Sequence, residues 1–293
     1  MPVNPEILPD VARLHETLRR LVAFDTQNPT GPEAEAAAFV AEEMRSLGCR
    51  IETMEVAPGR PNVIGVLENG PGPVFAFNTH MDVVQVGDGW SSDPFVLRER
   101  DGRLYGRGSC DAKGALAAML EAMRLLAGER MSWSGTLLGV FVVDEESGSR
   151  GARAYAATKP KVDFCVIGEP TDCTTVIAHK GSIRPVVRVH GRAAHSGTPD
   201  KGVNAILAAA PLLEAVGREH ERLRAVTHPL VGNASLSVTR VSGGRADNIV
   251  PDGCELLLDP RPVPAEDEDA LRQELERLVS RAAEKAATDI GIA

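Results

Sequence analysis

The sequence predicts an α/β fold: a sheet with helices on both faces over residues 1–180, followed by a smaller α+β layer over residues 181–293. Three observations predict it. Short apolar runs bounded by Pro and Gly alternate with helical patterns in the first part, and from Ile183 the order changes to β-α-β-β-α. The length, 293 residues, also exceeds the ~100–200 of one ordinary domain. Hydrophobic residues at 43% and charged residues at 25% are those of a globular chain, which removes disorder, collagen and coiled coil from consideration.

Asp10 precedes a helical pattern in which Val11, Leu14, Leu18, Leu21 and Val22 share one face. Thr30 and Pro32 open a second helix, and Gly48 stops it. The runs Asn62–Leu67 and Val74–Phe77, set between the Pro58-Gly59 and Gly70–Pro73 clusters, read as buried strands. A helix from about Gly114 to Ala127 and strands at Thr136–Val143 and Val162–Ile167 continue the alternation. In the second layer a strand through Val187 and Val189 precedes a helix near Val203–Leu223 and strands at Ala234–Val241 and Cys254–Leu258. The acidic run Glu266–Asp269 then suits the first turn of a last helix, where carboxylates meet the positive end of its dipole. Beyond that helix the chain ends at Ile290–Ala293, and no closing strand is expected for this layer.

Lys and Arg total 32 against 41 Asp and Glu, a net charge of −9, and no basic run is long enough to track a phosphate backbone or grip an anionic membrane. Neither nucleic acid nor a membrane is an expected partner. No stretch approaches the ~18–20 apolar residues of a bilayer span, and Met1–Glu6 lacks the basic and apolar regions of a leader. The five cysteines (Cys49, Cys110, Cys165, Cys173, Cys254) are odd in number and form no C-x-x-C pair. A disulfide framework and a thiolate zinc site are therefore not expected, and a reducing cytoplasm is.

The chemistry sits in four short segments. His80 and Asp82 follow the strand Val74–Phe77, at the carboxyl end where open α/β sheets place their ligands. A lone His-x-Asp is also compatible with a histidine satisfied by a backbone carbonyl. Gly106-Arg107-Gly108-Ser109-Cys110-Asp111-Ala112-Lys113-Gly114 meets the spacing of neither phosphate-binding glycine loop. Asp111 there either reaches into a site or caps the following helix. Asp144-Glu145-Glu146 crowds three carboxylates after another apolar strand, an arrangement that is costly unless solvated or bound to a cation. Glu169, in Gly168-Glu169-Pro170-Thr171, adds one more after a fourth strand. A set of one histidine and several carboxylates suits Zn2+ or a divalent ion of similar size.

The order of these four motifs resembles the zinc-dependent amidohydrolase and metallopeptidase family that includes acetylornithine deacetylase, succinyl-diaminopimelate desuccinylase, aminoacylase and carboxypeptidase G. The resemblance runs from about His80 to Arg261. It implies an open mixed sheet with helices on both faces as the catalytic domain, and a smaller α+β lid and dimerisation domain, hence a homodimer formed through the lid. It further implies that His80 and Glu169 hold one metal, Glu146 a second, and that Asp111 bridges them, with Zn2+ as the cofactor and Co2+ able to substitute. Asp82 would orient His80, and Glu145, kept off the metal, would be the general base. By the same resemblance His195, in Ala194-His195-Ser196-Gly197, stabilises the oxyanion, and Asn248 and Arg261 hold a substrate carboxylate. The residues alone leave His195 open as a loop histidine bonded to backbone, and Asn248 and Arg261 as a turn Asn and an Arg tied to a neighbouring Asp.

The substrate implied is a small N-acyl amino acid. His179-Lys180-Gly181 and Gly108-Ser109-Cys110-Asp111 resemble the deacetylases, with acetylornithine deacetylase nearest, whereas desuccinylases tend to show Arg-Arg-Gly-Ser at the former position. Relatives return from the lid to the catalytic domain with a histidine for the second metal. Here the seven histidines are His15, His80, His179, His190, His195, His220 and His228, and none follows the lid. A catalytic domain lacking its C-terminal return, a weak or empty second metal site and an exposed sheet edge are expected. A non-catalytic product that binds a ligand or dimerises is the alternative.

Overall fold

The computed structural model describes residues 8–29, 31–264, 266–286 and 289–292, and the chain divides into two compact units, Met1–Thr174 and Thr175–Ala293. In the first, the Asp10 carboxylate accepts the Arg13 N–H and opens helix α1 (Val11–Ala23) by satisfying a donor with no partner inside the helix. Leu18, Leu21 and Val22 form its buried face. Helix α2 (Ala34–Ser46) starts later than the sequence predicts. Gly31 N–H turns back onto Gln27 O at 2.6 Å, and Glu33 is buried against Arg60, so neither joins the helix; Thr30 lies outside the described residues. Gly48, at φ +84°, stops the chain in the left-handed region that favours glycine.

The strands of this unit are β1 (Arg50–Ala57), β2 (Arg60–Asn69), β3 (Val74–His80), β4 (Arg98–Arg100), β5 (Arg103–Tyr105), β6 (Gly135–Val142) and β7 (Phe164–Ile167). Helix α3 (Lys113–Gly128) precedes β6, and α4 (Arg150–Ala157) follows it. Five strands form an open mixed sheet in the order β1-β2-β6-β3-β7, antiparallel from β1 to β6 and parallel from β6 through β3 to β7. Because successive side chains point to opposite faces, β2 and β6 feed two cores. Val63, Leu67, Leu137 and Phe141 pack under α1, α2 and α3, while Ile64, Leu138, Val140 and Val142 face α4 through Ala152 and Tyr155. Each such side chain, fully buried, contributes ~1.5–3 kcal/mol. The parallel register sets His80 beside Val142 and Asn78 beside Ile167, so the carboxyl ends of β3, β6 and β7 lie together.

Three elements of this unit have weak local signals. Strand β1 alternates charged with apolar residues at the sheet edge, β4 and β5 are three residues each around the Asp101-Gly102 turn (φ +54° and +70°), and α4 is short. At the other edge β7 leaves Phe164 and Ile167 exposed.

The second unit comprises β8 (Val186–His190), α5 (Ala205–Ala208), α6 (Ala210–Leu223), β9 (Thr227–His228), β10 (Gly232–Asn233), β11 (Ser235–Gly243), β12 (Gly253–Arg261), α7 (Glu268–Ala286) and β13 (Asp289–Ile292). The helix expected as one over Val203–Leu223 is two. Asn204 caps α5 by accepting the Ile206 and Leu207 N–H groups, and Pro211, which has no N–H to give, sits in the first turn of α6. An antiparallel sheet runs β11-β12-β8-β13. Strand β13 corrects the expectation that this layer lacks a closing strand: Ile290 pairs with Val189 and buries its side chain in the core of Val187, Leu212, Leu256, Leu258 and Leu278. Two isoleucines around a glycine make too short a pattern to mark a strand, and its partner β8 lies far back in the chain.

Candidate metal centre

His80 is the last residue of β3 and is 1% exposed. Its Nδ1 lies 2.9 Å from the Asp82 backbone oxygen, so that nitrogen carries the proton and donates it to the carbonyl. The ring is thereby turned with Nε2 outward, 3.0 Å from Asp111 Oδ1 and 3.9 Å from Glu169 Oε1. Asp111 stands two residues before α3, in a turn shaped by Gly108 (φ +83°), where a Cβ would come within 2.8 Å of Val83. Glu146 follows β6, and its carboxylate, the Asp111 carboxylate and a His80 nitrogen place ligand atoms within 4.8 Å of one another. Glu169 follows β7, and Gly168 ahead of it holds the strand end to the sheet by donating to Asn78 O at 2.8 Å. The imidazole and the carboxylates of Asp111 and Glu146 thus converge from three segments, with Glu169 of a fourth beside His80, a donor set that fits a divalent cation of the zinc class.

The electrostatics are those of an acid cluster balanced by a proton. Burial works against a charged His80, but the hydrogen bonds to Asp111 and Asp82 and the nearby carboxylates outweigh it and push the imidazole up to about 11. Burial and then the Asp111 carboxylate push Glu146 up to about 7. Glu169 is raised as well, by burial first and then by Asp111 and Glu145, with His80 opposing. A cation among these groups would replace the proton and relieve the like-charge crowding.

Asp82 is completely buried. Its Oδ1 lies 3.6 Å from His80 Nδ1, and its two oxygens accept the backbone N–H groups of Glu145 (3.0 Å) and Glu146 (3.1 Å) and the side-chain amide of Asn28. Burial opposes its ionisation, but the charge and hydrogen bonding of His80 and these N–H groups hold its carboxyl below the usual range. Asp82 therefore ties the imidazole to the turn that carries Glu145 and Glu146. Glu145 is exposed and outside the close group of ligand atoms. Asp144, adjacent to it in sequence, is not part of the acidic face: at φ +63° it turns inward, where Arg60 and Arg150 bind its carboxylate.

The remaining residues singled out from the sequence lie in the second unit. His195 is exposed, accepts the Gly197 N–H at Nδ1 (3.0 Å), and bridges to Ile249 next to Asn248, whose carbonyl accepts the Ser196 N–H at 2.9 Å. Arg261 is bound by Asp259 at 3.0 Å. Sequence reasoning passes over Asn28, Glu33 and Arg60, which pack behind Asp82 and Asp144, because their partners are remote in the chain. It also passes over Lys113, buried at the start of α3 with its Nζ on Phe24 O at 2.7 Å; burial pushes this lysine down to about 7.

Residues 76–292 match the peptidase family M20/M25/M40. An acetylornithine deacetylase of Vibrio campbellii is 32% identical over 278 residues, covering 92% of this chain and 72% of that protein. Among solved structures, the aminopeptidase PepT of Bacillus cereus superposes with a TM-score of 0.70 at 23% identity, covering 97% of this chain and 75% of that one. A family M20 metallo-carboxypeptidase of Sulfolobus solfataricus gives 0.73 at 19% identity, covering 96% and 77%. Among the described residues no helix is long and apolar enough to cross a membrane. Matched over most of its length and carrying a histidine and carboxylates at the ends of its parallel strands, the chain belongs to the peptidase family M20/M25/M40 and is a hydrolase.

Proposed function

We propose that the chain cleaves the amide bond of a small N-acyl amino acid, with N-acetyl-ornithine the first substrate to assay. The convergence of His80 Nε2, Asp111 and Glu146 at the strand ends carries this reading. In it, His80, Asp111 and Glu169 would hold one Zn2+, Asp111 and Glu146 would hold a second, and Co2+ would substitute. Such an ion, when bound, lowers the pKa of water from ~15.7 towards ~7 and polarises the scissile carbonyl. Glu145, exposed and free of the ligand group, takes the proton from the attacking water and returns it to the leaving amine. Asp82 fixes the ring of His80 and the backbone of Glu145.

In this reading residues 1–180 are the catalytic domain, and residues 181–293 form the lid and dimerisation domain. The edge of β11, which pairs on one side only among the described residues, and the exposed Ile206 and Leu207 on α5 support a homodimer through that domain. His195 would stabilise the oxyanion, and Asn248 and Arg261 the substrate carboxylate, for which Arg261 must exchange Asp259 for substrate. Five free cysteines suit a reducing, cytoplasmic setting.

Metal content per chain after dialysis, with hydrolysis of N-acetyl-ornithine, succinyl-diaminopimelate and dipeptides in added Zn2+ or Co2+, tests the proposal. Retained metal and turnover of N-acetyl-ornithine is the expected result. Turnover of succinyl-diaminopimelate or dipeptides alone moves the substrate class to the desuccinylases or peptidases. A chain that binds no metal overturns the metal centre itself.

A further inference from the structure

Arg60, at the start of β2, belongs to none of the four motifs, yet its side chain is 8% exposed and its guanidinium is committed at every nitrogen. Nε donates to Glu33 Oε2 at 2.6 Å, and Nη2 donates both to the other Glu33 oxygen and to Asn28 Oδ1, the latter at 2.6 Å. Nη1 donates to Asp144 Oδ1 at 3.0 Å. Asn28 then has only its amide nitrogen left, and this donates to Asp82 Oδ2, the oxygen that also accepts the Glu146 N–H. Arg60 therefore grips the Asp144–Gly148 turn at two points. One runs directly through Asp144, whose carbonyl accepts the Gly148 and Ser149 N–H groups; the other runs through Asn28 and Asp82 to the N–H groups of Glu145 and Glu146.

The segment that carries Asn28 is itself fastened to the end of β3. Thr26 Oγ1 donates to Met81 O at 2.8 Å, Val83 N–H donates to Thr26 O at 3.0 Å, and Asn28 N–H donates to Val83 O at 2.9 Å. Removing ions from water is expensive, and a buried pair often stabilises a fold no better than apolar residues of the same volume. Stability alone is thus a poor reason for a fully hydrogen-bonded Arg60–Glu33 pair. Geometry is a better one, because each bond in the chain leaves the next group a single orientation.

We propose that Arg60, with Glu33 and Asn28, is a positioning device for the metal centre, holding Asp82 and the Asp144–Gly148 turn so that His80 and Glu146 face the same point as Asp111. This rests on the metal-centre reading of the preceding subsection. The device touches neither metal nor substrate, and its effect reaches the ligands through Asp82 and through backbone N–H groups.

The test is Co2+ affinity, read from the visible absorption of the bound ion and from competition with Zn2+, on the whole chain. Asn28→Ala cuts the link to Asp82 while leaving Arg60, Glu33 and Asp144 paired, and is expected to weaken Co2+ binding ~10–100-fold. Arg60→Met leaves the buried Glu33 carboxylate without its cation and the Asp144 carboxylate with Arg150 alone, and can fail to fold. The double variant Arg60→Met, Glu33→Gln removes one of those charges with the cation, and is expected to show the same loss of affinity. Glu121→Gln is the control: Glu121 is buried on α3 and bound by Arg13 and Arg124, so its loss lowers Tm and leaves Co2+ affinity unchanged. Wild-type affinity in folded Asn28→Ala and in the double variant overturns the positioning role alone. A wild-type chain that binds neither ion overturns the metal centre and the device with it.

Discussion

At His80 a crowd of carboxylates is balanced by a proton. Buried at the end of β3 among Asp82, Asp111, Glu146 and Glu169, the imidazole is pushed up to about 11, and Glu146 shares the strain by rising to about 7. A folded value for Glu146 above its ordinary 4.5 means that the folded chain holds a proton which the unfolded chain releases. The stability this group contributes is therefore complete below pH 4.5 and lost as the pH rises through about 7. In chelator, the Tm of wild type minus that of Glu146→Gln is expected to fall across that window; parallel curves would show that Glu146 does not feel the cluster. Glu145 has the opposite assignment, reactivity without ligation. Glu145→Gln is expected to lower the rate ~10²–10⁴-fold with Co2+ affinity unchanged, and full activity in that variant removes it as the base.

Four elements deliver the site, and each does so at its end. Strands β3, β6 and β7 run parallel, so their carboxyl ends open on one side, and α3 starts just after Asp111 on that side. Close packing keeps α3 and β7 in place. A Cβ on Gly168 would lie 2.7 Å from the Cβ of Ala115 and 2.8 Å from the end of Met119, both on α3. Met119 can swing away, whereas Ala115 moves only with the helix. Gly168→Ala is therefore expected to cost ~1–3 kcal/mol and, by shifting Glu169 against Asp111, to weaken Co2+ binding. Unchanged Tm and affinity would show that the contact between β7 and α3 is slack. The strands carrying His80, Glu146 and Glu169 were legible in the sequence because runs such as Val74–Phe77 and Thr136–Val143 are apolar and end in polar residues. Strand β1 and β13 were not, since one alternates charges at an edge and the other has a single buried side chain, Ile290.

Over the whole molecule, the candidate metal-ligand group lies in Met1–Thr174, and each unit has a core of its own. Leu256→Ala, at a completely buried position of β12, is expected to cost ~2–5 kcal/mol and to speed hydrogen exchange in the second unit while leaving Co2+ affinity as it is. Co2+ at about a hundred times its dissociation constant is expected to add ~2.7 kcal/mol of protection, confined to the first unit. Protection spread evenly over both units would make the chain one cooperative body and sink this division.

What the sequence determined by itself is local: the candidate ligand residue types, their spacing, and their position after apolar strands, since strand, turn and candidate ligand occupy the same few residues. What only the tertiary structure decided is partnership. Asp144 reads as a third member of an acidic face next to Glu145 and Glu146, yet it turns inward because Arg60 and Arg150 await it. Arg60, Glu33 and Asn28 carry no motif, and they matter because folding sets them behind Asp82. A buried charge is tolerable only where its counter-charge and hydrogen bonds are brought to it, and those arrive from parts of the chain that sequence spacing does not connect.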